Sequence, residues 1–193
     1  LKHYDAVWPV PMPVVGPCAV IFDLIFAMKP ELTVCVNTIE ASLYVTAAQA
    51  LSKSETDGII FAATNWLNQE KFKQIQQHSR ANYPSISYMM RESPHACLRH
   101  FSNSSITCVI LQDQGLTDEN LEDLIQLWRE KLSEDGILVI QHQANRTLLL
   151  DKKNTLGEIF FKSEKLTLIR KNNITNATEK LIDFINSENG NNF

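Results

Sequence analysis

Five polar residues stand where short apolar runs break off. Asn37 and Thr38 follow 34–36, Thr64 follows 59–63, Asp113 follows 106–111, and His142 follows 137–140. In an open α/β sheet, ligands lie beyond the carboxyl ends of the strands, where strand-end backbone and helix N-termini converge. An Asp and a His at two adjacent strand ends could be a general acid/base pair or two ligands of a metal. A metal needs a third ligand, and Gln141 and Gln143 are only weak extras, so no metal site is expected. The bland alternative is that Asp113 caps a turn before Gly115 and that His142 is a half-buried loop residue. Trp66 stands where an aromatic could stack on a base, or could simply pack at a strand end. Arg91 flanks the third strand, while His95 and His100 read as surface residues. Glu40 could do no more than open a helix, and a carboxylate there would repel that of a cofactor.

The elements that would position these groups follow from periodicity. A helix is predicted over 18–28, started after Pro17 and stopped by Pro30. A strand over 34–36 leads to a helix over 40–53, with Leu43, Ala47, Ala50 and Leu51 on one face. A turn at 56–58, a strand over 59–63 and a polar helix over 68–79 follow. Pro84 leads into a strand over 86–90, and Ser93 caps a short helix to 101, with Pro94 at its first position. After a strand over 106–111, Thr117 opens the most regular helix, running to 132 with Asp118 and Glu119 at its positive end. Asp135 and Gly136 end that helix before a strand over 137–140. The pattern then changes to two strands over 157–163 and 165–171 joined by a tight turn, and a last helix over about 176–185.

Five β-α units followed by a hairpin imply an α/β fold, a mostly parallel sheet with helices on both faces and an antiparallel C-terminal hairpin. Val34, Val36, Ile60, Val109, Ile110, Leu138 and Ile140 are expected on the buried sheet, with Leu121, Ile125 and Trp128 packed against it. Asp118, Glu119, Glu122 and Asp123 read as a solvated face.

The 193 residues suit one full-sized core, and the net charge of −4 without any Lys/Arg run gives no reason to expect nucleic acid. The longest apolar stretch, 14–28, contains Pro17 and Asp23 and is too short to span a bilayer. Cys18, Cys35, Cys97 and Cys108 lack CxxC spacing and read as buried thiols in a reducing compartment, so a cytoplasmic location is expected. The sequons at Asn103, Asn145, Asn173 and Asn176 are what an asparagine-rich chain produces by chance. Residues 1–12 read as a linker, 13–186 as the domain and 187–193 as a disordered tail. The chain is expected to be a piece of a longer, multidomain protein.

One run of residues carries a more specific pattern. Asn82, Tyr83 and Arg91, then Ala96, Phe101, Ser105, Ile106, Trp128, Lys131, Leu132, Ser133 and Gly136 match a strand, "HY", an Arg, a helix ending in Phe, "SIDLLHIDG", a helix with a tryptophan and "KLSPGG". On these residues, 13–171 resembles the class I S-adenosylmethionine-dependent methyltransferases, in the branch of sugar O-methyltransferases often joined to glycosyltransferases. The resemblance implies a Rossmann-like class I methyltransferase fold, S-adenosylmethionine as cofactor, and a pocket around Asn37, Thr38, Thr64, Trp66 and Arg91. It implies Asp113 or His142 as the base.

The functional positions depart from the pattern. The acid and first glycine of "E-I-G-x-x-x-G" fall at Cys35 and Asn37, and the ribose-binding acid falls at Thr64. "H-I-D-G" reads Leu111-Gln112-Asp113-Gln114, and "H-D" reads Gln141-His142. The ribose acid makes charge-assisted hydrogen bonds of about 1.5–3 kcal/mol each. Its loss, with a Cβ where glycine belongs, implies cofactor affinity lower by roughly a hundred-fold or more. The expected function is therefore a methyltransferase-like domain with a degenerate cofactor site, serving as scaffold or docking element in a glycan-synthesising protein. Its expected partners are neighbouring domains such as a glycosyltransferase, and a sugar ligand. The alternatives are an active O-methyltransferase on a sugar hydroxyl, and a nucleotide or nucleotide-sugar binding module in the same cleft.

Overall fold

Side chains alternate between the faces of a strand, and here the alternation feeds two apolar layers. A computed structural model describes residues 17–39, 41–65, 68–142, 158–163 and 165–171. The elements are α1 (Pro17–Met28), β1 (Leu32–Val36), α2 (Ser42–Lys53), β2 (Ile59–Ala63), α3 (Gln69–Asn82) and β3 (Ser87–Met90). A 3-10 turn, Ala96–His100, precedes β4 (Ile106–Gln112), α4 (Asp118–Lys131), β5 (Leu132–Gln141), β6 (Glu158–Lys162) and β7 (Leu166–Arg170). Glu40, Trp66, Gln143, Asn145, Asn173, Asn176, the linker 1–12, the helix over 176–185 and the tail 187–193 lie outside the described residues.

The strands form one sheet in the order β3-β2-β1-β4-β5-β7-β6. β1 to β5 are parallel, and β7 runs antiparallel to both β5 and β6. This is the expected Rossmann-like α/β layout with a C-terminal antiparallel hairpin. Cys35, Ile60, Cys108, Ile110, Val139 and Leu168 join α1 and α2 on one face. Val34, Val36, Val109, Leu111, Leu138 and Ile140 join α4 on the other. The ten residues expected in the core are all at most 2% exposed. All four cysteines are free and buried. The α4 carboxylates Asp118, Glu119, Glu122 and Asp123 are exposed. His95 and His100 are surface residues paired with Asp123 and Glu92.

Several element ends move. α2 begins at Ser42, later than expected, because the chain turns off β1 at Asn37–Ile39, where Ile39 N–H bonds Asn37 O. α3 runs on to Asn82, where Tyr83 N–H still bonds the Ser79 carbonyl. The segment after Ser93 makes one α-type bond, Cys97 N–H to Ser93 O, and then only 3-10 turns over Ala96–His100, with Ser93 Oγ accepting from Ala96 N–H at 3.2 Å. The largest shift is at β5. α4 stops at Lys131, and Leu132 already pairs with Ile106 before a bulge brings Ile137 opposite Cys108. Gly136 sits inside that bulge because a Cβ there would lie 2.9 Å from Leu132 Cβ.

Candidate functional site

The parallel order reverses between β1 and β4, so the crevice of this sheet opens at their carboxyl ends. Asn37 sits at that point with φ 56, the left-handed region that glycine and asparagine tolerate best. Its backbone thus has a conformation that glycine also adopts readily, but it carries a side chain. Asn37 Nδ2 donates to the carbonyls of Gln112 at 2.8 Å and Gln114 at 3.0 Å, across the crevice to the loop after β4. Its backbone N–H donates to Ala63 O at 2.9 Å, at the end of β2. One residue therefore ties the end of β1 to both neighbouring strands.

The residues beside it also turn inward. Thr38 Oγ1 donates to Cys35 O at 3.0 Å, and Thr38 is buried. Burial first, and then neighbouring Cys108, push the Cys35 thiol well above its ordinary range, so that position holds a neutral group where the resembling pattern has an acid.

Asp113 and His142 are brought together, as their adjacent strands require. Asp113 N–H extends the ladder to Gln141 O, and His142 N–H bonds Lys165 O. Asp113 Oδ2 lies 3.6 Å from His142 Nδ1, with the side chains 1% and 3% exposed. On the other side of the ring, His142 Nε2 and Thr167 Oγ1 on β7 share a hydrogen bond of 2.8 Å. The three side chains form a buried acid–imidazole–hydroxyl row across β4, β5 and β7, in which the imidazole–hydroxyl link is a hydrogen bond and the Asp113–His142 approach is too long for one. Asp113 O also accepts from Leu116 N–H, closing the turn through Gly115. Sequence reading did not anticipate Thr167. The available signal was a lone hydroxyl in the buried strand Leu166–Arg170, which must find a partner.

The open part of the edge lies between β1, β2 and α3. A cleft of about 350 Å³ is lined by Asn37, Thr38, Ile39, Thr64, Asn65, Asn68 and Lys71, near the small end of the roughly 300–1,000 Å³ typical of ligand sites. Asn68 caps α3, accepting from Lys71 N–H at 2.9 Å through Oδ1. Lys71 Nζ reaches back across the cleft to Ile39 O at 3.2 Å. The strand-end side chains alone predict a nearly uncharged cleft; Lys71 corrects that, because α3 starts at Gln69 and swings its first turn over the site. Asp113 and His142 are not among the lining residues. Arg91 is exposed with its guanidinium 5.8 Å above the Phe72 ring, outside the lining. Trp66 lies outside the described residues.

Among the described residues, no three His, Cys, Asp or Glu gather where they could hold a metal ion. Nor, among them, is any helix long and apolar enough to cross a membrane.

No protein-family model and no curated protein matches the sequence. Solved structures do match in fold. A methyltransferase from Geobacter sulfurreducens matches with a TM-score of 0.64 at 11% identity, over 83% of this chain and 81% of that one. A Corynebacterium glutamicum protein matches with 0.63 at 13% identity, over 86% and 85%. The O-methyltransferase from Bacillus cereus, solved in complex with SAH, matches with 0.54 at 9% identity, over 68% and 59%. At such identities the likeness is one of fold, and the chain has the Rossmann-like fold found in those methyltransferases.

Proposed function

We propose that this chain is a methyltransferase-like domain with a degenerate cofactor site, serving a larger, glycan-building polypeptide as a scaffold or docking element. The observation that carries the reading is the Asn37 bridge. In a working site, ligand lies against glycine backbone at this turn. Here a side-chain amide already occupies the gap and is held by two carbonyls. The lining does not fit S-adenosylmethionine. Its ribose hydroxyls need an acceptor of the carboxylate kind, whereas the described lining offers Thr38, Thr64, three asparagine amides and the Lys71 ammonium. In the buried row, the His142 Nε2–Thr167 hydrogen bond gives the imidazole a structural partner away from the cleft, while Asp113 Oδ2 and His142 Nδ1, 3.6 Å apart, are not hydrogen-bonded to each other.

The glycan context and the adjoining domains, a glycosyltransferase among them, are supported by the sequence pattern over 82–136 and its sugar O-methyltransferase likeness. The test is calorimetry of the isolated chain with S-adenosylmethionine. Binding weaker than about 100 μM is expected, from the roughly hundred-fold penalty of the missing contacts. Micromolar binding would overturn the reading and restore an active O-methyltransferase, with Asp113 or His142 as its base.

A further inference from the structure

The charge at the end of β2 is inverted relative to a ribose-clasping site, and the inversion has a direct chemical meaning. Nucleotide sites on doubly wound sheets use a carboxylate after the second strand to accept from ribose hydroxyls. They use a nearby cation when that ribose carries a phosphate instead. In this chain Thr64 is neutral and buried, Asn65 follows it, and Lys71 stands one turn into α3 with its ammonium over the cleft. An ammonium has three donors, and Ile39 O accepts one of them. Asn68 uses its oxygen on Lys71 N–H, which leaves its NH₂ group as a donor on the same wall. Glu70, the neighbouring carboxylate on α3, is exposed and is not among the lining residues.

We propose that the cleft between the β1–α2 loop and the start of α3 binds a phosphomonoester carried on a hydroxyl-rich group, with Lys71 and Asn68 on the phosphate. Asn65 and Thr64 then face the hydroxyls. The phosphate displaces the Ile39 carbonyl from Lys71, so the Lys71–Ile39 contact is the resting form of the site. A nucleoside monophosphate and a sugar phosphate share this chemistry, and the cleft volume admits either. The inference rests on the reading above only in that S-adenosylmethionine does not fill the cleft.

The test is a backbone amide chemical-shift titration of the whole chain with adenosine, adenosine 5′-monophosphate, glucose, glucose 1-phosphate and inorganic phosphate. Shifts are expected at Thr64, Asn65, Asn68 and Lys71. At least one phosphorylated compound should bind about tenfold or more tightly than its unphosphorylated form, a charge-assisted contact's worth. Whichever of the two wins identifies the source of the phosphate, and inorganic phosphate should perturb the same amides more weakly. Lys71→Met should abolish the preference and Lys71→Arg should keep it, both with unchanged spectra elsewhere. Equal binding of paired compounds, shifts away from these residues, no shift with any probe, or full preference in Lys71→Met would each overturn the proposal. Micromolar S-adenosylmethionine with no phosphate preference would sink both readings. Absence of both would sink this one alone.

Discussion

The ends of β4 and β5 and the ends of β1 and β2 are built from the same kinds of side chain, yet they finish differently. At β4 and β5, Asp113 and His142 meet Thr167 from the antiparallel β7, and the three lie in a row below the surface. At β1 and β2 no such strand covers the edge among the described residues, and Thr64, Asn65, Asn68 and Lys71 line a cleft. The difference shows that a chemically suggestive pair is not a site until something else decides whether it faces solvent. A buried polar group needs partners, so insertion of β7 beside β5 offered His142 a hydroxyl and drew the row inward. Asn37 marks the border, with its backbone bonded to β2 and its side chain to the loop after β4.

The largest effect should come from the core under the closed half. Trp128 is fully buried against Phe101, with ring centroids 5.8 Å apart. Trp128→Ala should cost about 3–5 kcal/mol in chemical denaturation. A loss below about 1 kcal/mol would mean that α4 does not hold up this side of the sheet.

The border residue comes next. Asn37→Ala removes both bridging hydrogen bonds and places an ordinary side chain at φ 56, for about 2–3 kcal/mol. Asn37→Gly keeps the backbone conformation and should cost only about 1–2 kcal/mol. If the glycine variant were the less stable of the two, the left-handed turn would not be what selects asparagine here. The glycine variant also sharpens the functional comparison, because it reopens the crevice. Calorimetry should show tighter S-adenosylmethionine binding than in the parent if the amide is the obstacle.

Thr167→Val keeps the shape of the side chain but strips the hydroxyl from the buried imidazole. A stability loss of about 1–3 kcal/mol is expected. An unchanged denaturation midpoint would show that His142 finds water instead, and that the closed half is wet.

Smallest is Lys71→Met on the open half, where stability should stay within about 0.5 kcal/mol because the hydrogen bond it removes, to the Ile39 carbonyl, is exposed to solvent. A larger loss would make Lys71 a fastening of the loop rather than a lining group.

Short continuous apolar runs placed the central strands, because a strand covered on both faces is buried along nearly its whole length and leaves a local trace. Proline, glycine and capping residues placed the elements to within a few positions, with Thr117 capping α4 through Asn120 N–H as read. Asn37 was legible as a residue at the end of the first strand, and Asp113 and His142 as strand-end neighbours. What β7 does to them was not legible, since Thr167 is 25 residues from His142 and meets it only through strand order. Lys71 was equally silent, 32 residues from the Ile39 carbonyl it reaches, because the swing of α3 over the edge is a property of packing. The amide of Asn37 has the same character. Its sequence position states only that glycine is absent, and the fold decides that the side chain spans the crevice. Local pattern determines which residues reach the edge of the sheet. Long-range packing decides which of them are closed off there, because hydrogen-bond partners and solvent exposure depend on chain segments far apart in the sequence.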